Sequence, residues 1–150
     1  MATASELLNA TRNDPGQNSL ITIEAADNVA ELSPWADDWA ALTDDEKARY
    51  LVMATEDILD QDNFPSLNLD TDQMYNLAAS CTVYQAIFLS INLDEINDAM
   101  TASITGATSL SGPVESKSMT GFSVRRAVSP YVRRKLGMYC DSTISIVRSR

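Results

Sequence analysis

Eight basic residues stand out as the groups able to do binding chemistry: Lys117, Arg125, Arg126, Arg133, Arg134, Lys135, Arg148 and Arg150. They share the last 50 positions with only two acids, Glu115 and Asp141, a net of +6. The first 100 positions hold nineteen acids against three bases, Arg12, Lys47 and Arg49, a net of −16. Such a split suits either phosphate contact, which is strongly salt-dependent, or docking onto carboxylates, which arginine forks pair bidentately. Arg133, Arg134 and Lys135 fan around one helix rather than forming a stripe. Few aromatics interleave with these bases (Phe122, Tyr131 and Tyr139), so no base-stacking platform is evident.

Catalytic chemistry has little to draw on. The chain has no histidine, which removes the usual general base and metal ligand. No glycine-rich phosphate loop or nucleophile elbow occurs. The acid pairs Asp37/Asp38, Asp44/Asp45 and Glu56/Asp57 are adjacent on helices, so their side chains diverge and read as solvated faces. Asp60, Asp62, Asn63, Asp70 and Asp72 lack the glycine and closing glutamate of a calcium loop. No enzyme activity, cofactor or metal is therefore expected. Cys81 and Cys140 read as small buried hydrophobes rather than a disulfide framework.

The elements that position the bases are mostly helices. Of the 150 residues, 21–150 are expected to form one domain preceded by a flexible arm over 1–20, with Asp14-Pro15-Gly16 as a turn and one helical turn at Ser5–Ala10. Thr22 caps a helix carrying Ala25, Ala26, Val29 and Leu32, which ends near Ser33-Pro34. Trp35 and Trp39, at i and i+4, share a face and plug the end of a bundle. Thr43 and Glu46 make a capping box for a helix with Ala48, Leu51, Ala54, Thr55 and Ile58 on its stripe, ending near Asp60.

Asp70 or Thr71 caps the next helix, whose segment Gln73–Leu93 carries no charge. Met74, Leu77, Ala78, Cys81, Tyr84, Phe88 and Ile91 form its main apolar face. Its length approaches a membrane span, but Gln73, Asn76, Thr82 and Gln85 make it too polar for lipid. A helix apolar nearly all round is central to a bundle. Asn92 to Asp94 is a place for a bend.

Residues 104–128 are rich in glycine and serine and read as a projecting loop or hairpin, with Phe122–Val124 as a short strand. Ser129-Pro130 starts a last helix, and an extended tail follows. The fold expected is mainly α, a bundle of about four to five helices in all: its body over 21–103, the excursion at 104–128, and a C-terminal helix and extended tail at 129–150.

This order of parts resembles the head–tail connector (adaptor) proteins of tailed bacteriophages. Trp39, Lys47, Leu51, Ala54-Thr55 and Leu59-Asp60 carry the resemblance, with the charge-free helix Gln73–Leu93, the excursion, Ser129–Leu136 and Ile146–Arg150. It implies a virion protein, assembled in the host cytoplasm, that forms a homo-oligomeric ring, commonly of twelve subunits. The ring docks beneath the portal protein, meets a tail component or further ring, and passes DNA without sequence-specific binding; no membrane is involved. The eight bases then address the portal or a neighbouring subunit, and surplus acid along the channel repels phosphates. Phage proteins of the DnaT-like single-stranded-DNA-binding type are similar over Trp39–Asp60. They usually carry a Trp-Pro-Arg element soon after, which this chain lacks.

Overall fold

The computed structural model describes residues 1–105 and 126–140, with the backbone alone at 103–105. Six helices follow in order: α1 (Ala4–Leu7), α2 (Ile23–Glu31), α3 (Ala36–Ala40), α4 (Asp44–Leu59), α5 (Asp72–Thr105) and α6 (Pro130–Gly137). The architecture is the expected helical bundle, and no strand forms among the described residues. The expected strand at Phe122–Val124, most of the 104–128 excursion and the tail beyond Cys140 lie outside those residues.

Threonines set the starts of four helices. The Thr22 hydroxyl accepts from the Ala25 amide at 3.2 Å, satisfying one of the donors a helix start leaves open. Thr43 accepts from the Glu46 amide at 3.2 Å, and Glu46 accepts in return from the Thr43 amide at 2.8 Å, the reciprocal box expected. The backbone N–H of Thr43 holds the Glu46 carboxyl below its ordinary value. Thr3 and Glu6 repeat the arrangement on α1, and Thr71, rather than Asp70, accepts from the Met74 amide at the start of α5.

Helix α5 runs through the centre. It buries Ala78, Cys81, Val83, Ala86, Leu89 and Ile96 against Leu51, Ala54 and Ile58 of α4, Ala26 and Ala30 of α2, and Val132 and Leu136 of α6. At ~25 cal/mol per Å² of apolar surface, each Val, Leu or Ile among them contributes about 1.5–3 kcal/mol when fully buried, and each alanine less than about 1 kcal/mol. The deepest side of α5 differs from the face expected: Tyr84 and Phe88 are half-buried and Ile91 is exposed. Periodicity points weakly on a helix that is apolar nearly all round, so packing partners chose the face. No described helix is long and apolar enough to cross a membrane.

The tryptophans part company. Trp39 is buried, its Nε1 donating to Asp27 Oδ1 at 2.7 Å, and Lys47 Nζ donates to the same oxygen at 2.9 Å while lying 5.6 Å from the Trp39 ring centre. This knot ties α2, α3 and α4 together. Trp35 instead precedes α3 in a non-helical conformation and stays partly exposed, so the two indoles do not share a helix face.

Residues 1–20, expected as a flexible arm, lie against the bundle. The Ser5 amide donates to Asp45 Oδ1 at 2.9 Å, which lowers the Asp45 pKa from its ordinary value. Arg12 donates to Asp72 at 2.7 Å and to the Leu69 and Asp70 carbonyls, with its guanidinium 4.4 Å from the Tyr75 ring centre. Ser19 and Leu20 are buried, and the Leu20 amide donates to Thr55. A polar stretch without periodicity hides this role, because its bonds run to distant side chains and carbonyls rather than to a core face.

Candidate assembly interface

Of the eight bases singled out in the sequence, four lie among the described residues: Arg126, Arg133, Arg134 and Lys135. Lys117, Arg125, Arg148 and Arg150 fall outside them. The four do not act alike.

Arg126 faces inward. Its Nε donates to Asp57 Oδ1 at 3.1 Å, and its Nη2 donates to Glu56 Oε2 at 2.9 Å and to the Met53 carbonyl at 3.1 Å. Gln85, fully buried on α5, completes a clasp around Asp57. Its Nε2 donates to Asp57 Oδ2 at 2.9 Å and to the Ala127 carbonyl at 3.0 Å, and its Oε1 accepts the Ser129 amide at 2.8 Å. The Asp57 carbonyl accepts from Asn63. Arg126 is thus an internal anchor, a correction to its expected role in partner docking. Of the Glu56/Asp57 pair, expected as a solvated face, Glu56 is exposed but Asp57 is only 6% exposed.

The clasp explains how α6 is placed. Ser129 is the residue before Pro130, but its side chain makes no capping bond; its amide is spent on Gln85. Burial pushes the Asp57 carboxyl up from its ordinary value, against the opposing pull of Arg126 and Gln85. Buried polar atoms here are all satisfied: among the described residues, no buried side-chain nitrogen or oxygen lacks a partner. Such a network is costly to break at any one member.

With Val132 and Leu136 turned into the core, α6 points Arg133, Arg134 and Lys135 outward. No carboxylate among the described residues pairs with them, whereas Arg12, Lys47 and Arg126 are all paired. Arg134 and Lys135 each lie 5.7 Å from the Tyr131 ring centre, within cation–π range. Tyr131 in turn sits 4.8 Å from Tyr84, which meets Trp35 edge-on at 6.1 Å. Three aromatics from separate parts of the chain therefore form one row beside the cations.

That row walls an apolar groove of about 180 Å³, completed by Ile87, Phe88, Ile91, Asn92 and Ser129. Trp35 and Ile91 are its exposed members. The sequence reading missed this platform, since aromatics interleaved with bases in space need not be interleaved in the chain. The spacing of Tyr84, Phe88 and Ile91 on one side of α5 was the signal available. Beneath α6, burial raises the Cys81 thiol to about 11, with Lys135 pulling weakly the other way. Cys140 is half-buried, its thiol donating to the Leu136 carbonyl at 3.3 Å.

These thiols give a direct check on whether α6 covers α5. In a Cys140→Ser variant, maleimide labelling of Cys81 near pH 8, about three units below its pKa, is expected to need unfolding. Rapid labelling of the native variant would show that α6 is not seated. Among the described residues, no group of three or more carboxylates and cysteines is placed to hold a metal ion. No protein-family model, curated protein or solved structure matches the chain.

Proposed function

We propose that this protein is a non-enzymatic structural subunit of a tailed-phage head–tail connector, forming a ring beneath the portal through which genomic DNA passes. The observation that carries this reading is the outward set Arg133, Arg134 and Lys135 on a clasped helix, unpaired among the described residues, in a chain whose other described parts expose carboxylates. Arginine forks held on a rigid support suit bidentate docking onto carboxylates of a portal or neighbouring subunit. Exposed acids such as Asp37, Asp38, Asp94 and Asp98 supply the negative surface that repels phosphates and lets DNA slide. The protein is then located at the head–tail interface of the virion.

Electron-microscopic class averages of the protein mixed with its portal protein test this. A ring stacked coaxially on the portal is expected, and free monomers beside intact portals would refute the reading.

A second reading, a single-stranded-DNA-binding replication protein, is favoured by one observation: the Trp35–Tyr84–Tyr131 row beside Arg134 and Lys135. Bases stack on aromatic rings, and cations hold the backbone. Fluorescence anisotropy with a labelled oligonucleotide separates the two. Micromolar binding that falls steeply with salt supports the second, and no binding at about 150 mM salt removes it.

A further inference from the structure

The groove and its cations need an occupant that is both apolar and acidic. The groove walls are Trp35, Tyr84, Phe88 and Ile91, while Arg134 and Lys135 stand at Tyr131 on its edge. The chain carries such a surface on another flank. Helix α6 packs on α5, whereas α1 packs on α4. On α1, Leu7 is 62% exposed and the neighbouring Glu6 is exposed, with its Oε2 accepting from the Thr3 amide at 2.8 Å, and Asp44 is exposed at the start of α4. A projecting leucine beside carboxylates complements an aromatic groove beside cations in both shape and charge.

We propose that the groove between α3, α5 and α6 receives the α1 flank of a second copy of this chain, with Leu7 entering it and Glu6 meeting Arg134 and Lys135. The inference rests on the connector reading and names the contact between its subunits. Two different patches of one chain meet, so the interface is heterologous, and repeating it closes a ring when the rotation between copies permits. The short α1 therefore has a use beyond its packing: its capping box and the Ser5–Asp45 bond hold Leu7 at a fixed place.

Two charge-altered variants test the contact. Arg134→Glu with Lys135→Glu makes the groove edge acidic. Glu6→Gln with Asp44→Lys makes the α1 flank basic, leaves Leu7 to enter the groove and keeps the α1 capping box, because glutamine serves at that position as glutamate does. Circular dichroism checks that each remains helical. By sedimentation, each variant alone is expected to associate at least about tenfold more weakly than the wild type. Mixing the two restores association, since acidic groove edges then meet basic flanks and the reverse. In parallel, a Leu7→Cys, Ile91→Cys, Cys140→Ser chain treated with a short bis-maleimide is expected to give an intermolecular ladder.

Variants that assemble as the wild type does, or chains that give no ladder, would overturn the interface and leave the connector reading standing. The groove would then belong to the portal or to residues 141–150. A wild type that stays monomeric even with portal protein present would overturn both.

Discussion

Replacing Arg126 with alanine is expected to destabilise the protein by about 3 kcal/mol at neutral pH, the low end of the range for a buried ion pair that loses one partner, because Asp57 is buried while Arg126 itself is half-buried. The substitution leaves Asp57, 6% exposed, as an uncompensated charge beneath residues 126–129. It also removes the bond that Arg126 donates to the Met53 carbonyl of α4. Loss of the clasp should release α6 first, because Arg126, Ala127 and Ser129 all connect to α4 and α5 through it. Hydrogen exchange over 126–140 and urea denaturation together report this. Protection and stability unchanged from the wild type would show that the clasp does not hold α6.

The same variant carries a pH signature. In the wild type the Asp57 pKa is already raised above its ordinary 3.8 by burial. A group with a raised native pKa stabilises the fold most below its unfolded value, and that contribution is lost as pH rises through the native value. Removing Arg126 takes away the strongest opposing pull and moves the native value further up. The cost of Arg126→Ala should therefore be smallest near pH 4 and grow toward neutrality. Adding Asp57→Asn to Arg126→Ala should flatten that dependence. A cost that grew toward acid would contradict the assignment.

Trp39→Ala is the second large effect, at about 3–5 kcal/mol, as for other large aromatic truncations in a packed core. Trp39 is 2% exposed and links α3 to Asp27 on α2 and Lys47 on α4. Trp39→Phe separates the two parts of this cost. It keeps most of the packing and loses the indole donor, for which about 1–2 kcal/mol is expected. Denaturation midpoints of the two variants check the order, and a Phe variant as unstable as the Ala variant would put the hydrogen bond, not packing, in charge. Trp35→Ala should cost far less, because that ring is partly exposed on the groove.

Local signals were the legible ones. Thr22, Thr43 and Thr71 cap helices because a hydroxyl three residues before an open amide needs no distant partner. Ser129-Pro130 likewise starts α6, and the stripe of Ala48, Leu51, Ala54 and Ile58 faces inward as its period requires. The candidate site was legible only in its charge: three of the bases, Arg133, Arg134 and Lys135, are exposed where α6 presents them. Arg126 has the same residue type and belongs to a different structure, because exposure depends on what lies across from it.

The division follows from the range of the forces involved. The sequence by itself determined the helices, their caps and the excess of acid in the first hundred residues against base in the last fifty, since these rest on neighbours three or four positions apart or on simple sums. Only the tertiary structure decided the rest. It chose which side of the nearly uniform α5 is deepest, drew Asp57 of the expected solvated pair into a clasp, and joined Trp35, Tyr84 and Tyr131 into one row. Each depends on contacts between residues tens of positions apart, such as Gln85 with Ser129 and Arg126 with Asp57, which no local pattern encodes.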